Sequence, residues 1–179
     1  MLKLKKKSTL REKKIFFLFF FLFLTSALFS QEAVYVFPDV KDKIGKHFPI
    51  EYFKDSNGEN YNSNFLHGKN SLINFWFTNC EPCHQEIPYL IQLQQELGDK
   101  VNFMGITFDN KEKVKIFADK KKINFLQITE SLDGMNKYGI NRYPMSFIID
   151  NEGNVKMIFG IVNDSRIDDV RNQLLHDLK

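Results

Sequence analysis

Cysteine is scarce in this sequence, which has only two among 179 residues, Cys80 and Cys83. Together with the neighbouring His84 they fall short of the four ligands of a closed structural zinc site. No cysteine follows the apolar run at residues 15–24, so lipid attachment to a cysteine is excluded at that point. The sequence also lacks internal repeats, and its one low-complexity tract is the Phe/Leu-rich leader. Its most informative feature is therefore the spacing of its two cysteines.

An excess of positive charge is also missing once the leader is set aside. The formal net charge is +3, but residues 1–30 hold seven basic residues against one acidic residue. The remainder keeps 18 of the 25 basic and 21 of the 22 acidic residues. We expect the lysines at 120–122 to be the solvated end of a helix. Nothing outside the leader predicts a surface that binds nucleic acid.

The leader has the three parts of a secretory signal. A basic start precedes the apolar run at 15–24, and small residues follow at 25–30. Cleavage after Ala27 or Ser30 is expected, and the alternative is an uncleaved membrane anchor formed by residues 15–29. The apolar run is shorter than the roughly 18–20 residues that span a bilayer. Residues 1–30 therefore predict export to the periplasm or cell envelope, where a disulfide can persist.

Beyond the leader, we expect a flexible segment at residues 31–43 and one domain at 44–179. The turn signal at Asp55-Ser56-Asn57-Gly58 predicts a small β-hairpin over residues 47–67. Further strands are predicted at 71–77, 101–108, 125–129, 145–150 and 155–161. Helices are predicted at 82–97, 111–121, 131–138 and 164–178. Alternating strands and helices, closed by an antiparallel hairpin and a helix, indicate an α/β fold with a mixed sheet between helices.

The two cysteines lie where an apolar strand gives way to a helix. At a helix N-terminus, unpaired N–H groups and the positive end of the dipole favour a thiolate. Such positions lower a thiol pKa from about 8.5 to roughly 3.5–7.5. Cys80 is therefore predicted to attack a partner disulfide, and the more buried Cys83 to resolve the mixed disulfide. A structural staple is the alternative, but so short a loop removes little chain entropy.

Between the cysteines lie Glu81 and Pro82. Proline suits the first turn of a helix because its φ angle is already helical. The Glu81 carboxylate opposes the thiolate and should raise the pKa of Cys80, unless it is merely solvated. A less stabilised thiolate makes the dithiol a better reductant.

Several motifs together resemble exported thioredoxin-fold proteins of the TlpA/ResA type, over residues 44–179. They are Phe75-Trp76, Cys80-Glu81-Pro82-Cys83, Glu86, Pro88, the Tyr-Pro strand at 143–150 and Gly153. The resemblance implies a thioredoxin fold with a four- to five-stranded sheet and an N-terminal β-hairpin extension. It also implies a cis Pro144 facing the disulfide, and thiol–disulfide exchange in the bacterial envelope.

The same resemblance suggests supporting residues. Asn74 occupies the position at which thioredoxins carry a buried aspartate for proton transfer, and an amide cannot take that proton. Glu86 is predicted to tune the cysteines in its place, the alternative being an exposed helix carboxylate. Trp76 is expected to pack beneath the site. Tyr143 is expected to pair its backbone with a bound partner, with its ring at the surface.

The predicted function is an exported thiol–disulfide oxidoreductase, a reductant rather than an oxidant, with no cofactor besides the Cys80–Cys83 disulfide and no bound metal. The family implies disulfide-bearing envelope proteins as partners, including apocytochrome c, and a membrane dithiol as electron donor. We expect a monomer.

Four other functions stay open. A peroxide reductase on a related fold needs a Thr three residues before its cysteine, whereas Thr78 lies two before Cys80. Residues 80–84 also match the Cys-x-x-Cys-His haem-attachment pattern, with His84 as ligand, although His84 is expected to be an exposed helix residue. Copper delivery is a further alternative because thiolates suit Cu(I). The last is an interaction module with an idle dithiol.

Overall fold

The computed structural model describes residues 37–176 of the chain. The predicted leader at 1–30 and the start of the predicted flexible segment lie outside these residues. The strands are β1 (Ser71–Phe75), β2 (Asn102–Ile106), β3 (Leu126–Ile128), β4 (Met145–Ile149) and β5 (Val155–Phe159). The α-helices are α1 (Glu81–Leu97), α2 (Lys111–Lys121), α3 (Leu132–Tyr138) and α4 (Ile167–Leu175). Of the helices in this part of the chain, none has the length and apolar character needed to cross a membrane.

The five strands form one mixed sheet in the order β3-β2-β1-β4-β5. Strand β1 pairs parallel with β2 and antiparallel with β4. The other two pairings are β2 with β3, parallel, and β4 with β5, antiparallel. All five residues of β1 are buried, as the unbroken apolar run predicts for a strand covered on both faces. The predicted mixed sheet is confirmed.

Successive residues of β1 point into two different cores. Ile73 and Phe75 join an aromatic core that includes Phe48 and Phe147. Leu72 joins the other core, which the apolar faces of α1 and α4 complete. Because both faces are packed, the end of β1 is fixed in position, and this end leads directly into the Cys80–Cys83 segment.

The prediction of a β-hairpin over residues 47–67 is wrong, because the two predicted strands do not form there. The turn itself forms, with the Asp55 Oδ1 atom accepting hydrogen bonds from the backbone N–H groups of Asn57 and Glu59. Only one antiparallel bridge, Lys54 to Asn60, accompanies it. The flanking residues form 3-10 helices at Ile50–Tyr52 and Ser63–Leu66. The spacing of the apolar residues is the reason, because Phe48, Ile50 and Phe53 all enter one core. In a strand, Phe53 would point to the face opposite to that of Phe48 and Ile50.

The predicted flexible segment also contains regular structure. Residues Pro38–Lys43 form a 3-10 helix. Val40 anchors this helix, since it is 1% exposed and belongs to the aromatic core. Residues 38–43 therefore pack with the domain that was predicted to begin at residue 44.

Candidate active site

Cys80 is the N-cap residue of α1. Its Sγ atom accepts a hydrogen bond of 3.2 Å from the backbone N–H of Cys83, and the two cysteines are joined as a disulfide. Cys80 is 4% exposed and Cys83 is 0% exposed. A sulfur at this position faces N–H groups that have no partner within the helix, so the site stabilises a thiolate on Cys80.

The two residues between the cysteines face solvent. Pro82 lies in the first turn of α1, where its missing N–H leaves no helical hydrogen bond unmade. The Glu81 side chain is 78% exposed, and its Oε2 atom lies 3.7 Å from Nδ1 of His84. Because water screens so exposed a charge, its effect on the Cys80 thiolate is small.

His84 is not the exposed helix residue that was predicted. Its side chain is 26% exposed, and its ring lies 5.0 Å from that of Phe117. The Nε2 atom is 2.7 Å from the backbone carbonyl oxygen of Thr78, so this nitrogen carries a proton and donates it. His84 therefore ties the first turn of α1 to the loop that precedes it.

Thr78 is held from its other side by Asp109, a residue that sequence reasoning did not place at the site. The Thr78 N–H donates to Oδ2 of Asp109 over 2.6 Å, and Lys113 Nζ donates to Oδ1 over 2.9 Å. Burial acts to raise the pKa of Asp109, but these donors outweigh it and the pKa is lowered. Asp109 thus stays ionised and fixes the loop two residues before Cys80, while Asn110 provides the cap.

Glu86 is buried, which excludes the alternative of an exposed helix carboxylate. It is 0% exposed and lies one turn after Cys83, on the same side of α1. Its Oε1 atom accepts a 2.8 Å hydrogen bond from Nδ2 of Asn74, and its Oε2 atom accepts one of 3.1 Å from the Val162 N–H. Asn74 Nδ2 also donates to the Ser146 hydroxyl. Asn74 therefore orients the Glu86 carboxyl group through a hydrogen bond.

Burial raises the pKa of Glu86 to about 7, although the hydrogen bonds from Val162 and Asn74 act to lower it. A carboxyl group with this pKa gains and loses a proton near neutral pH. Such a group is suited to general acid–base catalysis beside a thiol.

Trp76 packs in the cluster that contains both cysteines and Val114, as expected for a residue beneath the site. It is 3% exposed, and its Nε1–H donates to the Gln127 side chain over 3.0 Å. This bond joins the end of β1 to the edge strand β3. Trp76 therefore supports the cysteines from below and leaves the outer surface to other residues.

The Tyr143–Pro144 peptide bond is cis, as the resemblance implies. The pairing of β4 with β1 begins at Met145, which lies opposite Phe75. Tyr143 and Pro144 therefore lie just before the paired residues of β4. The Tyr143 ring is only partly at the surface, since it is half-buried against Phe77 and Phe108. Its burial raises the pKa of the Tyr143 phenol.

Comparison with known proteins matches residues 35–174 to the Redoxin family. The chain belongs to the Redoxin family. It is 32% identical to the thioredoxin-like protein YneN of Bacillus subtilis over 118 residues, 64% of this chain and 69% of that protein. It is 30% identical to the thiol-disulfide oxidoreductase ResA of the same organism over 132 residues, 72% and 74% of the two chains. A solved thiol:disulfide interchange protein from Bacteroides sp. is similar with a TM-score of 0.61 and 25% identity, covering 75% of this chain and 89% of that one.

This Redoxin-family chain is accordingly a thiol–disulfide oxidoreductase with a thioredoxin fold. The structure brings together Cys80, Cys83 and Trp76 in one cluster, with Asn74 and Glu86 in the adjoining buried pair. Sequence reasoning did not identify Thr78, Asp109, Ser146 or Val162. The only available signal was that Asp109 follows the strand parallel to β1, because parallel strands end at the same edge of a sheet.

Other features of the Redoxin domain lie away from the cysteines. A groove of about 630 Å³ is bounded by the turn at 54–58, by α2 and by β3, and neither cysteine lines it. Within residues 37–176, no three His, Cys, Asp or Glu side chains are close enough to hold a metal ion.

Proposed function

We propose that this protein is an exported reductant of disulfides in cell-envelope proteins, acting through Cys80 and Cys83. The observation that carries the proposal is the contact between Cys80 Sγ and the Cys83 N–H at the start of α1. It gives the outer cysteine a stabilised thiolate and keeps the inner cysteine beside it. No cofactor is required, because the dithiol itself carries two electrons.

The proposed cycle starts from the reduced dithiol. The Cys80 thiolate attacks one sulfur of the partner disulfide, and the partner's S–S bond breaks as its other sulfur leaves with the electron pair and takes a proton. Cys83 then gives its proton to the Glu86 carboxylate and attacks Cys80 Sγ. The partner's second sulfur leaves, takes a proton, and is released as a thiol. The partner has gained two electrons and two protons, one from Cys83 by way of Glu86 and one from water, and Cys80–Cys83 is oxidised.

The direction of exchange rests on charge near the cysteines. The buried Glu86 adds a negative charge above its pKa of about 7, and the exposed Glu81 adds a smaller, screened effect beside Cys80. Both disfavour the thiolate, and a disfavoured thiolate favours the disulfide form of the protein. We therefore expect a reduction potential nearer the −270 mV typical of thioredoxin than the roughly −120 mV of strong periplasmic oxidants.

The location and partners follow from the leader and the family resemblance. Residues 1–30 have the pattern of a secretory signal, which supports a location in the periplasm or cell envelope. Disulfide-bearing envelope proteins, with apocytochrome c as the specific candidate, are the proposed partners, and a membrane dithiol supplies the two electrons and two protons of each cycle. Cell fractionation tests the location, and an exclusively cytosolic protein would refute it.

Single cysteine variants test the proposal. Cys80→Ser should abolish reduction of a protein disulfide. Cys83→Ser should accumulate a mixed disulfide through Cys80, because no resolving thiolate remains, and this adduct is visible by mass spectrometry under non-reducing conditions. Normal turnover by Cys83→Ser would show that the assigned roles are wrong.

A further inference from the structure

Three partly exposed aromatic rings meet beside the cysteines. The Phe77 ring lies 5.3 Å from each of the rings of Phe108 and Tyr143, and Phe108 lies 5.8 Å from Tyr143. Each ring comes from a different segment, because Phe77 follows β1, Phe108 follows β2 and Tyr143 precedes β4. None of the three is fully buried. They differ in this from Phe75 and Phe147, which are 0% exposed and serve the core alone.

Two of the three rings adjoin the redox pair, and the Phe108 ring contacts both of them. Phe77 and Tyr143 both pack against the cluster that contains Cys80 and Cys83. The Cys80 N–H also donates to the Phe77 carbonyl over 3.1 Å. A polypeptide whose sulfur reaches Cys80 must therefore pass close to these rings.

A partner that pairs with the Tyr143 backbone, as the family resemblance suggests, is extended there. Side chains of an extended segment alternate between its faces, so the residue two positions from the reactive cysteine shares the cysteine's face. It lies about 7 Å farther along the partner, at a rise of about 3.3 Å per residue. A side chain at that position is the one that the aromatic rings can contact.

We propose that Phe77, Phe108 and Tyr143 form an aromatic platform that binds a large apolar side chain two residues from the partner's reactive cysteine. The proposal deepens the proposed function and rests on it. The platform selects disulfides in unfolded or extended segments, because a folded partner usually buries such a side chain. Aromatic rings suit this contact, since they offer large apolar area with few rotatable bonds.

Peptide substrates test the platform. Each peptide carries one cysteine in a mixed disulfide with glutathione, and the residues two positions on either side are either Phe or Ser. We expect the reduced protein to react about tenfold faster with the Phe peptide, the effect of partly burying one such side chain. Phe77→Ala and Phe108→Ala should each bring the ratio of the two rates towards one, and Phe77→Leu should retain part of it.

The ratio compares two substrates on one protein, so an unfolded fraction lowers both rates and leaves the ratio unchanged. Phe65→Ala is the matched control, because Phe65 is a 44% exposed ring that packs with Tyr61 outside the redox cluster. It should keep the wild-type ratio. A wild-type ratio near one, or a ratio that survives Phe77→Ala and Phe108→Ala together, overturns the platform. If the wild-type protein reduces neither peptide nor hydroxyethyl disulfide, the exchange function itself fails, and the platform fails with it.

Discussion

Glu86 shows how one residue is placed between two opposing influences. Its burial favours the neutral acid, while Asn74 and Val162 donate hydrogen bonds that favour the carboxylate. Burial prevails, and the pKa rises from 4.5 to about 7. The same residue therefore exchanges protons at physiological pH and makes folding sensitive to pH.

Replacing Glu86 by Gln should remove that sensitivity. A raised pKa gives a stabilising contribution that is complete below 4.5 and is lost as pH rises through about 7. Relative to the wild type, the free energy of unfolding of Glu86→Gln should rise by about 3 kcal/mol between pH 4 and pH 8. Any cost of placing the amide NH2 group against an N–H donor is the same at both pH values and does not change this difference. Urea denaturation of the oxidised proteins at both pH values measures this, with the exposed Glu112→Gln as control.

The same variant should alter thiol chemistry. The wild-type rate of Cys80 alkylation should show an inflection near pH 7 as Glu86 ionises, and Glu86→Gln should lack it. Parallel stability curves for wild type and variant would show that folding does not raise the pKa of Glu86. If Glu86→Gln had the same pH profile of Cys80 alkylation as the wild type, the role of Glu86 would be structural only.

At the scale of elements, the loop between β1 and α1 is fixed by side chains from two helices. His84 of α1 binds the Thr78 carbonyl, and Asp109, held by Lys113 of α2, binds the Thr78 N–H. The position of Cys80 thus depends on how β2 leads into α2. No residue within the Cys-x-x-Cys motif makes this connection.

Asp109→Ala should destabilise the protein and loosen the loop. It leaves the buried Thr78 N–H without its acceptor, which costs about 1–3 kcal/mol. Because the pKa of Asp109 is lowered, its contribution is present above the ordinary value of 3.8 and is lost as pH falls below it. Urea denaturation at pH 7 should therefore separate wild type and variant more than denaturation at pH 3.

Asp119→Ala, an exposed carboxylate of α2, is the control and should change stability by less than about 0.5 kcal/mol. A second readout is the alkylation rate of Cys80 in the reduced protein, which should change in Asp109→Ala and not in Asp119→Ala. Equal effects of the two substitutions would contradict the role of Asp109.

At the scale of the whole molecule, the reduction potential is linked to the difference in folding stability between the oxidised and the reduced protein. A fold that favours its disulfide is a reductant, and it must be more stable when oxidised than when reduced. The short loop closed by Cys80 and Cys83 adds to this by restricting the unfolded chain.

We therefore expect the oxidised protein to exceed the reduced protein in free energy of unfolding by about 2 kcal/mol, the chain-entropy effect of a four-residue loop. Urea denaturation with and without excess dithiothreitol measures the difference. Cys80→Ser/Cys83→Ser, which cannot form the bond, should be indifferent to dithiothreitol. A reduced protein more stable than the oxidised one would identify an oxidant.

Sequence reasoning predicted the sheet well because its strands are strongly apolar and the dithiol motif is local. It failed over residues 47–67, where Phe48, Ile50 and Phe53 all enter one core and so override the hairpin pattern. It also failed to identify Asp109, because the contact with Thr78 spans 31 residues and depends on the parallel pairing of β1 and β2. The family resemblance identified Glu86 as a site residue, but only the structure shows that Glu86 is buried.

Trp76 is the only tryptophan of the chain. Its indole packs with the two cysteines and, through Gln127, is bonded to the edge strand β3. Gly105 makes room for that bond, since a Cβ atom there would lie 2.2 Å from Gln127 Oε1 and 2.7 Å from the indole nitrogen. Trp76 fluorescence should therefore change both when the Cys80–Cys83 disulfide is reduced and when β3 separates from the sheet. Emission spectra can follow both events without an added dye.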